Sequence, residues 1–242
     1  MTAIDWFAGE AAAQYDGEDG VFAPDVVAAT AGFLAELAWD GTALELGIGT
    51  GRIALPLVQR GVRVTGIDLS PDMVAQLRAK TGGSDILVEL GDFASTRVEG
   101  RFSLVYLVFN TIMNLTTQDA QVACFENAAR HLRPGGSFVL EVGVPDLRRL
   151  PPGEVFVPFS VEDGHAGVDE YDVVSQRLVS HHYRSREGSF VHAAPPFRYV
   201  WPSELDLMAR IAGLELRDRV AGWGREPFTA ESRSHVSVWG KP

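Results

Sequence analysis

Apolar and polar positions change rhythm twice along the chain. From Thr42 onward, short apolar runs occur at "TALELG", "VRVTGID", "DILVELGD", "FSLVYLVF" and "SFVLEVGV". Helix-like stretches lie between the early ones, notably "GRIALPLVQRG" and "SPDMVAQLRAK". The longer "TQDAQVACFENAARHLRPGG" reads as a helix ended by its glycines. Continuous apolar strands alternating with helices predict a parallel sheet covered on both faces. After Val144 comes a Pro-rich break, "PDLRRLPPGE". The runs that follow have period-two character and are split by turn signals at "EDGHAG" and "REGS", which predicts antiparallel strands over residues 145–200. The α/β rhythm returns at "SELDLMARIAGLEL", where Ser203 can cap a helix and Gly213 can end it. "SHVSVWGK" reads as a final strand. The first forty residues read as helical, with Pro24 in the first turn of a helix.

Composition narrows the classes. The chain has 242 residues, 46% of them hydrophobic, enough for one large globular domain. No apolar run reaches the roughly 18 residues that a membrane helix needs, and the acidic start lacks a basic leader, so neither a signal peptide nor a membrane partner is expected. The single cysteine, Cys124, sits in a helical pattern as a small buried hydrophobe, and a reducing cytoplasm is the expected compartment. The net charge of −11 argues against nucleic acid as the partner. Arg148, Arg149, Arg184, Arg186 and Arg198 are too scattered to form a basic patch.

The chemistry concentrates at three strand ends. The first run enters Gly47-Ile48-Gly49-Thr50-Gly51, a tight strand-to-helix turn whose glycines reach backbone shapes denied to other residues. Asp68 ends the second run, where a carboxylate can accept bonds from both hydroxyls of a ribose. The third ends in Gly91-Asp92-Phe93, where Asp92 can accept from an adenine amino group and Phe93 can cover the ring. A purely structural alternative has the glycines making the turn while Asp68 caps the helix near Pro71. A dinucleotide fingerprint wants G-x-G-x-x-G, whereas this turn reads G-x-G-x-G.

The turn, with "GIDLSPDMV", "GDF" and "ARHLRPGGSFVLEV", resembles the class I S-adenosylmethionine-dependent methyltransferases over about residues 40–144, and more loosely over 200–240. The resemblance implies an α/β, Rossmann-like fold: a mostly parallel seven-stranded sheet with helices on both faces, here with an antiparallel insertion. It implies one domain made of an N-terminal helical lid (1–40), a cofactor-binding core (41–144), the insertion (145–200) and C-terminal core elements (201–242). S-adenosyl-L-methionine is the implied cofactor. Glu45, Gly47 and Gly49 would line its methionine end, Asp68 would hold the ribose, Leu69 and Met73 would lie against the nucleoside, and Asp92 and Phe93 would contact adenine. Phe109 would face the sulfonium, and Asn110 and Asn114 the acceptor. Tyr15-Asp16 resembles a lid pair whose tyrosine reaches the donor.

No general base stands out. His131 reads as structural, a cation favouring a helix end. His181 and His182 point to opposite faces of a strand; they and Tyr171 are candidates from an insertion placed to roof the site. Metal-ligand spacing is lacking. "FNTIMN" differs from the Asn-Pro-Pro-Tyr motif of methyltransferases that flip bases, so a small-molecule acceptor is expected, methylated at N or O, with monomer and homodimer both open. A nicotinamide-dependent oxidoreductase and a non-catalytic S-adenosylmethionine-binding protein are the alternatives.

Overall fold

A computed structural model describes residues 5–16, 23–186 and 189–242. Parts of the expected N-terminal helix (1–4 and 17–22) and of the "REGS" turn (187–188) lie outside the described residues. The N-terminal segment contributes α1 (Glu10–Ala13), followed by α2 (Pro24–Leu37), which starts on Pro24. The core then runs β1 (Thr42–Leu46), α3 (Ala54–Gln59), β2 (Arg63–Asp68), α4 (Pro71–Ala79), β3 (Leu87–Leu90), β4 (Phe102–Leu107), α5 (Gln118–His131) and β5 (Leu132–Gly143). Five strands follow: β6 (Phe156–Glu162), β7 (His165–Asp172), β8 (Arg177–Arg186), β9 (Ser189–Ala193) and β10 (Pro196–Arg198). The chain closes with α6 (Pro202–Ile211), β11 (Glu215–Val220) and β12 (Ser234–Gly240).

Seven strands form one sheet in the order β11-β12-β5-β4-β1-β2-β3. Strands β1 to β5 pair in parallel, and β12 and β11 antiparallel. Alternate residues feed two cores. Leu44, Leu46, Val105, Leu107 and Phe138 pack with α5 and α6, while Ala43, Val64, Leu104, Tyr106 and Val139 pack with α2, α3 and α4. Both faces are covered, which is why these strands are apolar throughout. The order reverses between β2 and β4 around β1, so a crevice opens beyond the carboxyl ends of β1 and β4.

Strands β6 to β10 form a second, wholly antiparallel sheet, as the period-two runs predicted. A buried polar cluster docks it. Arg198 is 4% exposed and donates to Gln121 Oε1, Gln176 Oε1 and Glu204 Oε1. Gln121 Nε2 in turn donates to the carbonyls of Ile112 and Arg198. Burial pushes the Glu204 carboxyl up, but hydrogen bonds from Arg198, Gln176 and Gln118 outweigh this and hold it below its ordinary value.

Three local expectations are corrected. Helix α6 begins on Pro202 with Trp201 as its N-cap, and no side chain caps it, so Ser203 is not the cap. Helix α5 stops at His131, ahead of the glycines, because Arg133 precedes Pro134 and such a residue avoids the helical region. His131 is structural but not a cation. Its Nε2 accepts the Val98 N–H and its Nδ1 faces the Asn127 carbonyl, and burial lowers its pKa. Cys124 is fully buried, as expected.

Removing Arg198 takes the donor from the buried Gln121 Oε1 and from Gln176 Oε1 and leaves the Glu204 carboxylate without its cation, with only the Gln176 and Gln118 amides. Arg198→Ala is expected to lower unfolding free energy by about 3 kcal/mol, read as a lower urea midpoint. An unchanged midpoint rejects the docking role.

Candidate active site

The glycine turn is shaped by both backbone angle and space. Gly47, Gly49 and Gly51 have φ of 73°, 54° and 75°, where a side chain is strained. A Cβ at Gly47 would lie 2.8 Å from Thr111 Cγ2, and one at Gly49 would lie 3.2 Å from Met73 Cε. The Gly47 and Ile48 N–H groups both donate to the Ile67 carbonyl, at 2.8 and 3.1 Å, which binds the turn to the end of β2.

Asp68 sits at that end. Its Oδ2 accepts the Gly49 N–H at 2.6 Å and its Oδ1 accepts the Ser70 N–H at 2.9 Å. Burial raises its pKa, and the two amides pull the other way. It does not cap α4: Ser70 does, accepting the Met73 N–H at 3.4 Å. The capping alternative therefore fails. Glu45 is buried on β1, where its Oε2 accepts the Tyr106 hydroxyl at 2.8 Å. Burial pushes its carboxyl up to about 8 against the opposing pull of Tyr106 and Arg52.

The other expected contacts surround this turn unevenly. Met73 is buried against Gly49, whereas Leu69 is 46% exposed. Asp92 is exposed, and its Oδ1 accepts the Ala94 N–H at 2.8 Å. The Phe93 ring is buried, 3.9 Å from where a Gly47 side chain would begin. Half-buried Tyr15 packs edge-on against Phe109 with centroids 6.5 Å apart, and burial raises its hydroxyl pKa to about 12. The N-terminal segment is fastened beside it. Asp16 accepts from Thr50 Oγ1 at 2.7 Å and pairs with Lys80 at 2.6 Å. The Gly9 N–H donates to Asp72 at 2.6 Å.

At the end of β4, Phe109 and Asn110 are consecutive non-glycine residues with φ of 62° and 57°. Such a pair is strained, and β5 holds it in place. Phe109 N–H donates to Glu141 Oε2 at 2.8 Å, Asn110 N–H to the Glu141 carbonyl at 3.3 Å, and Gly143 N–H to Asn110 Oδ1 at 2.7 Å. Arg52 lies over the Phe109 ring, 4.6 Å from its centroid. Asn114 ends the short 3-10 turn Thr111–Asn114 that follows.

The insertion's candidates sit within the second sheet. His181 bonds to Glu170 and His192, both at 3.0 Å, while His182 bonds to His165 at 3.0 Å. Their separate partners fit the expected opposite faces of β8. The Tyr171 ring packs against Tyr199. The contacts recorded for both histidines are with residues of that sheet.

Residues 43–136 match the family model described as "Methyltransferase domain". The chain is 30% identical over 205 residues to the cypemycin N-terminal methyltransferase of a Streptomyces species, covering 82% of this chain and 83% of that protein. It is 30% identical over 98 residues, 40% of each chain, to the dTDP-3-amino-3,4,6-trideoxy-alpha-D-glucopyranose N,N-dimethyltransferase of Streptomyces venezuelae. Its fold overlays the CcbJ methyltransferase from Streptomyces caelestis with a TM-score of 0.84, at 38% identity and over 96% of both chains. The chain belongs to the S-adenosylmethionine-dependent methyltransferase family. The nicotinamide and non-catalytic alternatives are set aside by that membership.

The residues of this methyltransferase fit the family's donor. The turn carries glycines where side chains would clash, and two buried carboxylates, Glu45 and Asp68, flank it. Sequence reading missed Glu141, Arg52 and Lys80. A charged residue inside the apolar run "SFVLEVGV" was the available signal for Glu141; Arg52 and Lys80 left none.

Glu141 is expected to act as a positioning residue for the β4 turn. Glu141→Leu leaves the Phe109 N–H without its acceptor and should lower kcat at least tenfold, with KM for the donor within threefold. Glu141→Gln, which keeps an acceptor oxygen, should restore kcat to within threefold of wild type. Equal losses in both variants would reject this role.

Proposed function

We propose that this methyltransferase transfers a methyl group from S-adenosyl-L-methionine to an amine nitrogen of a small molecule. The observation carrying the reading is the glycine turn at the sheet's switch point, flanked by buried Glu45 and Asp68 and crossed by the Tyr15 lid. The nitrogen acceptor is supported by the two curated relatives, one named for an N-terminus and the other for an amino sugar. In this reading residues 1–40 act as lid, 41–144 as donor-binding core, 145–200 as roof and 201–242 as the completing core, within one domain.

When bound, the donor supplies a methyl group already activated on a sulfonium. Glu45 receives the ammonium of the methionine end, beside the backbone of Gly47 and Gly49. Asp68, still held by its backbone donors, would offer its remaining acceptor sites to the ribose hydroxyls, and Leu69 and Met73 would pack on the nucleoside. Asp92 and Phe93 serve the adenine. Tyr15 and Phe109 screen the reacting centre from water, while Asn110 and Asn114 orient the acceptor. The amine lone pair forms the N–C bond as the S–C bond breaks, S-adenosylhomocysteine leaves, and the ammonium proton passes to water. A neutral amine needs no base to attack, so no proton transfer is assigned to His181, His182 or Tyr171.

Binding is the first test. S-adenosylhomocysteine at about 100 times its dissociation constant should stabilise the fold by roughly 2.7 kcal/mol, raising the melting midpoint by roughly 5–10 °C, while NAD gives no shift. Asp68→Ala should lose most of the shift and remain folded. A shift with NAD alone rejects the reading.

Glu45 adds a pH signature. In the free protein its carboxyl is protonated below about 8. Pairing with an ammonium favours the carboxylate, so binding expels a proton below that pH. Affinity for S-adenosylhomocysteine should therefore climb, by up to about tenfold per pH unit, from about pH 6 to 8 and then level off. In Glu45→Gln it should be weaker and nearly flat. Calorimetry in buffers of different ionisation enthalpy counts the proton; no release at pH 7 removes Glu45 from the ammonium site.

A further inference from the structure

A cleft of about 750 Å³ opens at the carboxyl end of β5, a volume usual for small-molecule sites. One wall is the exit of β5, with Val144 and Leu147; the other is the β11–β12 loop, with Phe228 and Ala230; Trp201 stands at the start of α6. The cleft begins one residue from Gly143, whose N–H is bonded to Asn110. It therefore lies beside the β4 turn, at the same end of the sheet.

We propose that this cleft holds the acceptor, and that the acceptor is an amine on an uncharged apolar body, an aromatic ring or branched alkyl group, rather than a nucleoside-diphosphate sugar. The inference rests on the methyltransferase reading and names the substrate class for it.

The chemistry of the walls carries it. Trp201 and Phe228 offer ring faces and edges, and Trp201 continues edge-on into Tyr199, with centroids 6.4 Å apart, which in turn packs on Tyr171. Arg148 is the one cation among the described residues lining the cleft, and an exposed carboxylate, Glu231, stands beside it. Its Nη2 donates to the Ala230 carbonyl at 2.6 Å and its Nη1 lies 3.5 Å from Glu231, which ties one wall to the other. Phe228 rests edge-on against fully buried His235. Burial pulls that imidazole down to about 4, so the group behind Phe228 is uncharged at neutral pH. A diphosphate would meet a single exposed arginine with Glu231 beside it and otherwise apolar walls, in a chain whose net charge is −11. The apolar body of such an amine loses little by leaving water and gains contact with both aromatic rings, while its nitrogen can stay at the open mouth.

Saturation-transfer NMR on protein filled with S-adenosylhomocysteine tests this, with phenethylamine and thymidine diphosphate as probes. Phenethylamine should receive saturation from the wild type. The signal should fall at least fivefold in Phe228→Ala and in Ala230→Trp, which plugs the cleft from an exposed position. Thymidine diphosphate should receive none. No phenethylamine signal in the wild type, equal signals in all three proteins, or saturation of thymidine diphosphate each overturns the proposal. The thermal shift with S-adenosylhomocysteine, retained in both variants, shows that the donor reading stands independently; its absence from the wild type is the separate failure of that reading.

Discussion

A single carboxylate ties together the parts on which the site is built. Asp68 accepts one hydrogen bond from the glycine turn after β1 and another from the residue that caps α4. Two strands and a helix start are thus fixed around one buried charge. The geometry demands a left-handed Gly49, because a side chain there is strained in its backbone and crowded by Met73. The amides that hold Asp68 in place are also the groups that make its burial tolerable, since a charge removed from water needs donors.

The same economy recurs through a strongly acidic chain. Glu45 is buried but shares its proton tendency with Tyr106; Glu141 is buried but accepts from Phe109; Arg198 is buried but meets three acceptors. Each of these groups joins segments distant in sequence. Glu45 links β1 to β4, Glu141 links β5 to the β4 turn, and Arg198 links the roof to α5 and α6. Polar groups placed in dry surroundings act through direction, because a hydrogen bond has a preferred line and apolar packing does not.

The N-terminal segment and the antiparallel sheet, the lid and roof of the proposed reading, are each fastened by their own polar contacts. The lid is held by Asp16 on Thr50 and Lys80, close to the exposed surface. An exposed pair of this kind contributes about 1 kcal/mol or less, which suits a segment that has to admit a ligand. The roof is held by the buried Arg198 cluster, which suits a wall that keeps its place. The cleft beside Trp201 and Phe228 lies between the exit of β5 and the β11–β12 loop, so its shape depends on the sheet's antiparallel edge as well as on the roof.

Much of the donor-binding half was legible in the chain. Strand runs without polar alternation announced a sheet covered twice over, and glycines at every second position marked the turn. Asp68, at the end of the next run, belonged beside that turn once the strands were parallel. These are local properties: period, backbone freedom and spacing along one strand. The helix ends were less legible, since Pro202 and Pro134 decided them through steric exclusion while Ser203 and the glycines gave the stronger signal. What Glu141, Arg198 and Arg148 do was beyond reach, because each meets a partner on an element far along the chain: Phe109 for Glu141, Gln121 for Arg198 and Ala230 for Arg148, at separations of 32, 77 and 82 residues. The sequence alone determined which segments become strands and that a tight glycine turn ends the first of them, because those depend on neighbours in the chain. Only the tertiary structure decided how the strained β4 turn is held and which walls enclose the cleft, because buried polar pairing and the meeting of distant loops exist only once the sheet has assembled.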